Sequence, residues 1–214
     1  MKREIKHIIQ STPLFDSLLN GLEKKRQVKE IENWERRKRP VPPPHIIKQR
    51  ILIQYANKYR LKVLVETGTY YGDMVEAMKN NFDLIYSIEL SKKLFDIAKK
   101  RFRKASHIEL INGDSGKELG KLMNMIGQPA LFWLDGHYSE GVTARGEKDT
   151  PIYEELHHIF RNDRNHVIII DDARCFGTDP AYPTLEELKE FIKSMRENVS
   201  ISVQDDSIRV TPCL

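Results

Sequence analysis

Cysteine is scarce in this sequence: Cys175 and Cys213 are the two among 214 residues, and they form neither a disulfide framework nor a metal-knuckle spacing. Two free thiols in a reducing, cytoplasmic setting are therefore expected. Long apolar runs are missing too. Nothing approaches the ~20 residues needed to span a bilayer, and the opening MKREIKHIIQ lacks the longer apolar stretch of a signal peptide, so neither a membrane span nor export is expected. No internal repeat and no long low-complexity tract is present. What remains suits one α/β domain with an appendage, since 40% hydrophobic content is enough for a sizeable core.

The net charge of +4 is unevenly placed. Residues 1–50 hold 13 Lys/Arg against 6 Asp/Glu, which leaves 22 against 25 for residues 51–214. The basic excess thus belongs to an N-terminal appendage, densest at Lys24-Lys25-Arg26 and Arg36-Arg37-Lys38-Arg39. Such a run touches nucleic acid, an anionic membrane or an acidic partner, or is a solvated helix face whose interleaved Glu23, Glu30, Glu32 and Glu35 pair along it. The second reading is preferred. Leu14, Phe15, Leu18, Leu19 and Leu22 recur at helical spacing, and Val28, Ile31 and Trp34 extend a second helical stretch before Pro40. This is the pattern of a docking arm, and a homodimer built through it is one use. Pro40-Val41-Pro42-Pro43-Pro44 then reads as an extended connector, which divides the chain into an arm at 1–44 and a main domain at 45–214.

After a lead-in helix at 45–59, short apolar strands alternate with amphipathic helices, the signature of βαβ units and a mainly parallel sheet. Strands are expected at 63–66, 84–88, 107–111, 130–134 and 166–170, with helices at 73–79, 92–102, 116–126, 151–160 and 185–196. Thr150-Pro151 and the capping box Thr184-Leu185-Glu186-Glu187 mark two helix starts. A hairpin of 199–203 and 208–210 closes the chain.

The first strand ends on Glu66 and turns through Gly68 and Gly72 into a helix, and the second ends at Glu89, roughly 20 residues beyond Gly68. A dinucleotide would need a bare central glycine in that loop, where Tyr70 stands instead, and its pyrophosphate would be repelled by Glu66. S-adenosylmethionine (SAM) meets neither objection: it has no phosphate, and its ammonium is attracted by a carboxylate. Glu89 then accepts the ribose hydroxyls, the competing reading being a helix-start charge beside the cap Ser91 that the helix dipole favours. Asp114 and Ser115, after the third strand, are either adenine contacts or a plain helix cap.

On the residues Glu66-Thr67-Gly68-Thr69-Tyr70-Tyr71-Gly72, Glu89, Asn112-Gly113-Asp114-Ser115 and Leu131-Phe132-Trp133-Leu134-Asp135-Gly136, the span 45–211 resembles the class I SAM-dependent methyltransferases. The resemblance implies a Rossmann-like α/β fold, a seven-stranded, mostly parallel sheet of order 3-2-1-4-5-7-6 with its last strand antiparallel and helices on both faces. It implies a SAM site of Glu66, Gly68, Thr69, Gly72, Glu89, Asp114, Ser115 and Asp135. The chain departs from the commoner E-x-G-x-G-x-G form by lacking the middle glycine.

Asp135 closes the fourth strand and Asp171-Asp172 the fifth, and neighbouring strand tips lie about 4.8 Å apart. Converging acids repel unless protonated or sharing a cation, and Mg²⁺ or Ca²⁺ prefers such ligands. This resembles the metal-dependent O-methyltransferases, which implies Asp135, Asp171 and Asp172 as Mg²⁺ ligands; the competing reading is metal-free contact of Asp135 with SAM or substrate. Those enzymes carry a lysine base shortly after the first acid, where this chain has His137-Tyr138. His137 is the candidate general base, with Asp135 beside it, and its competing reading is a loop histidine bonded to backbone. The polar loop 136–149, with three glycines, Arg145 and Lys148, is long enough to close over a substrate, and His45 and Lys48 reach toward the cofactor from the lead-in helix.

The expected reaction is methyl transfer to a hydroxyl of a small molecule such as a sugar or phenol. The alternatives are a nucleic-acid methyltransferase that uses the basic arm, an NAD-dependent oxidoreductase, and a non-catalytic SAM-fold binding protein. Neither an Asn/Asp-Pro-Pro-aromatic run nor a Pro-Cys nucleophile follows the fourth strand, which places nucleic-acid bases behind a small-molecule acceptor.

Overall fold

The computed structural model describes residues 13–136 and 150–213. Seven strands, β1 (Val63–Thr67), β2 (Leu84–Glu89), β3 (Ile108–Asn112), β4 (Leu131–Leu134), β5 (Val167–Ile170), β6 (Val199–Gln204) and β7 (Ser207–Pro212), form one sheet of order β3-β2-β1-β4-β5-β7-β6. β1 to β5 pair in parallel, and β7 runs antiparallel between β5 and β6. Order and strand directions are those expected from the sequence.

Seven helices cover the sheet: α1 (Pro13–Arg36), α2 (His45–Tyr59), α3 (Asp73–Met78), α4 (Lys92–Arg101), α5 (Ser115–Leu122), α6 (Ile152–Phe160) and α7 (Leu185–Met195). The two-residue period of the strands sorts the core into two layers. Val63, Val65, Phe132, Leu134, Ile168 and Ile170 pack under α5, α6 and α7. Their neighbours Leu64, Leu131, Trp133, Val167 and Ile169 pack on the opposite face with α1 to α4. With both faces covered, β4, β5 and residues 63–65 of β1 read as unbroken apolar runs, as central parallel strands do.

Three expectations are corrected. The two helical stretches before Pro40 are one 24-residue helix, because Glu, Lys, Arg and Gln between Leu22 and Val28 are good helix formers and no proline interrupts them. Its C-terminal end is docked, since Ile31 and Trp34 are buried and the Trp34 indole donates to the Pro40 carbonyl at 2.8 Å, while Leu22 and Val28 are exposed. Second, α6 begins one residue later than Thr150-Pro151 suggests; Pro151 is itself the cap and no side chain bonds the free amides. Third, α5 stops at Leu122, ahead of the Gly127-Gln128-Pro129 turn that ends the segment. The capping box at Thr184 and Glu187 is present with both of its bonds.

Candidate active site

Alternation continued to the carboxyl edge sends Glu66, Ser87, Glu89, Asp135 and Asp171 toward the face that carries α2 and α3, so the strand tips line up as a row of acids. Backbone geometry fixes the loop after β1. Gly68 has φ +83°, and a Cβ there would lie 2.3 Å from the Asp135 carbonyl oxygen, so only glycine lets the β1 loop pass over the end of β4. Tyr70 stands in the slot of the missing middle glycine and keeps the left-handed conformation, at φ +51°. The loop therefore turns as a glycine would turn it, and the two exposed rings of Tyr70 and Tyr71 sit edge to face above it.

Most of the loop amides are bonded within the protein. Gly68 and Thr69 donate to the Ile88 carbonyl, Tyr70 to Glu89 Oε2 at 2.7 Å, and Gly72 to the Thr69 carbonyl. Four amides of the loop, those of 68, 69, 70 and 72, are thus engaged within the protein. Glu66 and Glu89, by contrast, lack a cationic partner among the described residues. Glu89 accepts from the amides of Tyr70 and Ser91, one on each oxygen, which leaves a lone pair on each for a vicinal diol. Burial pushes its carboxyl above the ordinary value, against the pull of those two bonds.

Glu66 is buried and accepts a short hydrogen bond from the Ser87 hydroxyl, which lies 2.6 Å from the Thr69 hydroxyl. Burial pushes Glu66 up to about 8; the Ser87 bond opposes the rise, and the fields of Asp135 and Glu89 add to it. Ser87 went unnoticed in the sequence, although a serine inside an apolar strand is a signal for a buried polar partner. Thr69 is turned inward onto Ser87, and Gly72 is required because Phe102 would meet its Cβ at 2.6 Å. Asp114 caps α5, accepting from the Gly116 amide at 2.9 Å, with Ser115 as the buried first residue of the helix. The Asn112 side chain ties this corner to the Glu89 carbonyl.

The other half of the edge holds Asp135, Asp171 and Asp172, whose oxygens come within 4.8 Å of one another, a donor set suited to a hard cation. Lys48 of α2 already lies there. Its ammonium makes a short ion pair with buried Asp171 and is 3.8 Å from Asp172 Oδ1. Burial lowers its pKa, but Asp171, Asp135 and Asp172 more than offset this and hold it above the ordinary lysine value. Arg174 donates to Asp172 Oδ1 at 2.7 Å and pairs with Asp206 on the β6–β7 turn. With Lys48 in place the cluster does not fit a divalent metal, because two of its three acids already face protein cations. Lys48 thus points to the acids of β4 and β5, not to the cradle, and Arg174 and Asp206 had no signal in the sequence. His137, Arg145 and Lys148 lie outside the described residues.

Beside Asp171 is a small cleft of mixed character, in which Leu134, Ile152, Ile170, Phe176 and Tyr182 meet Thr150 and Glu155, with Phe176 and Tyr182 edge to face. Among the described residues no helix is long and apolar enough to cross a membrane.

No protein-family model matches the chain, and no curated protein matches it by sequence. Solved structures do. It is similar to an O-methyltransferase from Bacillus cereus in complex with SAH, at a TM-score of 0.58 and 15% identity over 86% of this chain and 90% of that one. An SAH-bound methyltransferase from Podospora anserina gives 0.56 and 16%, covering 95% and 99%. The O-methyltransferase of tomaymycin synthesis from Streptomyces achromogenes, in complex with SAM, gives 0.56 and 16%, covering 87% and 88%. The fold is thus the Rossmann-like fold of these methyltransferases.

Proposed function

We propose that this chain is a SAM-dependent methyltransferase that acts on a hydroxyl oxygen of a small molecule. The observation that carries the reading is the cradle: its amides at 68, 69, 70 and 72 are internally bonded, while Glu66 and Glu89 have no cationic partner among the described residues. A site of this kind suits a ligand that brings an ammonium and a diol and no phosphate. When bound, SAM supplies an electrophilic methyl group. Glu89 holds the ribose hydroxyls, Glu66 and Asp135 favour the ammonium end, and Asp114 and Ser115 border the adenine. The acceptor oxygen enters beside Asp135, against Phe176 and Tyr182, where positioning and exclusion of water supply much of the rate. His137 is the candidate base that takes its proton.

The small cleft of mixed character favours a small acceptor such as a phenol or a sugar with an apolar face. Two free thiols accord with a reducing, cytoplasmic setting. Exposed Lys24, Lys25 and Arg26 on α1 favour a second acceptor, a nucleic acid. Calorimetric titration with SAM and NAD⁺ tests the cofactor: SAM binding is expected, and preferential binding of NAD⁺ would sink the reading. Methyl transfer from labelled SAM to a panel of hydroxyl acceptors and to RNA and DNA then separates the two acceptors. No turnover over that panel would leave a binding protein.

A further inference from the structure

The geometry points to Lys48 as the resident cation of the acidic cluster, taking the place a divalent metal would take between Asp171, Asp172 and Asp135, so that this half of the site is metal-free by construction. The inference rests on the side chains of this cluster and does not require the SAM reading.

A cation seat can be recognised by what surrounds it. Lys48 extends from a helix whose Ile47, Ile51 and Leu52 are buried in the core, so its starting point is fixed by packing and not by the charge alone. Its ammonium bonds Asp171, whose side chain is 2% exposed, and sits 3.8 Å from Asp172. On a further side lies the Trp133 ring, with its centroid 5.9 Å away, an arrangement that suits a monovalent cation. Mg²⁺ bonds its oxygens at about 2.1 Å and demands several of them in regular array. To bind Asp171 that closely it would have to displace the lysine, and a dication beside an ammonium is repelled. Arg174 donates to the same Oδ1 of Asp172 and also pairs with Asp206, which leaves Asp172 less free to rotate onto a metal.

A metal site and a lysine site made from the same acids make opposite demands. A metal needs the acids open and the lysine elsewhere. Here the first turn of α2 carries the lysine into the acids, over a sequence separation of 123 residues. The compensation of converging charge that a metal would bring is supplied by the chain itself.

The test is a Mn²⁺ titration of the purified full chain followed by electron paramagnetic resonance, run on the wild type, Lys48→Met and Lys48→Gln. The wild type is expected to leave Mn²⁺ free up to millimolar concentration, and its Tm to be unmoved by Mn²⁺. Lys48→Met is expected to lower the Tm, to gain Mn²⁺ affinity by roughly ten-fold or more, and to recover Tm when Mn²⁺ is added. Lys48→Gln, which keeps a hydrogen-bond donor, carries the same expectation if Lys48→Met does not fold. Stoichiometric Mn²⁺ binding by the wild type that is lost in Asp171→Asn would overturn the inference. A folded Lys48 variant that gains no Mn²⁺ binding would overturn it as well. SAM titrated into the same samples reports on the cradle separately, so failure of the cofactor reading would be visible as absent SAM binding with the Mn²⁺ result intact.

Discussion

The two halves of the carboxyl edge are built from the same material and finished differently. Over β1 and β2, Glu66 and Glu89 are held by a serine hydroxyl and backbone amides, with no cation among the described residues. Over β4 and β5, Asp171 and Asp172 are compensated by Lys48 and Arg174. The first half has no protein cation among the described residues and pushes its carboxyls up; the second is compensated by Lys48 and Arg174. A row of strand-end acids therefore does not announce a metal, and the identity of the compensating cation has to be established for each pair of acids.

The largest way to break this contrast is to separate the halves. Gly68→Ala drives a Cβ into the Asp135 carbonyl at a positive φ, and should cost about 3 kcal/mol or more in urea denaturation and abolish SAM binding. Unchanged stability would mean that the loop does not pass over β4 as described. Glu89→Ala leaves the fold and removes the diol acceptor; SAM affinity measured calorimetrically should fall about 100-fold, or ~3 kcal/mol. An unchanged Kd would remove Glu89 from the site.

Glu66 sharpens the comparison through pH. Its folded value of about 8 lies above the ordinary 4.5, so between these limits the folded protein holds a proton that the unfolded chain has released. Its contribution to stability is therefore complete below about pH 4.5 and is lost as pH rises through about 8. Glu66→Gln should raise Tm by on the order of 5 °C at about pH 8.5 and change it little at about pH 5. The same substitution should weaken SAM by roughly ten-fold or more, since the ammonium loses its carboxylate. SAM binding to the wild type at neutral pH should release a proton, visible as a binding heat that varies with the ionisation enthalpy of the buffer. A heat independent of buffer would show that Glu66 does not lose a proton when SAM binds.

The smallest effect is expected at Tyr70. Tyr70→Gly relieves the left-handed strain and loosens the unfolded chain by a similar amount, so stability should change by less than about 1 kcal/mol. A larger loss would assign the exposed ring a structural role.

Local sequence determined more of this molecule than its modest likeness to solved structures suggests. Apolar runs at β4, β5 and residues 63–65 of β1 with helices between them specify a parallel sheet covered on both sides, because a strand buried on both faces has no polar alternation to show. Glu66, Gly68, Gly72, Glu89 and Asp135 are legible for the same reason: a loop after a strand must lie at the carboxyl edge, and that edge is where such a sheet binds ligands. The lengths of α1 and α5 and the cap of α6 were less legible, since helix ends are decided by small differences between competing caps.

Tertiary structure alone decided who neutralises whom. Lys48 and Asp171 are 123 positions apart, Glu66 and Ser87 are 21 apart, and Arg174 and Asp206 are 32 apart. No periodicity relates such residues, because their proximity comes from helix packing and strand order and not from the chain between them. The sequence thus shows that the edge is acidic and which strands bear the acids. Only the folded chain shows that, among the described residues, one half has no cation beside its acids and the other holds Lys48 and Arg174, since the energy of a charge depends on what surrounds it in space.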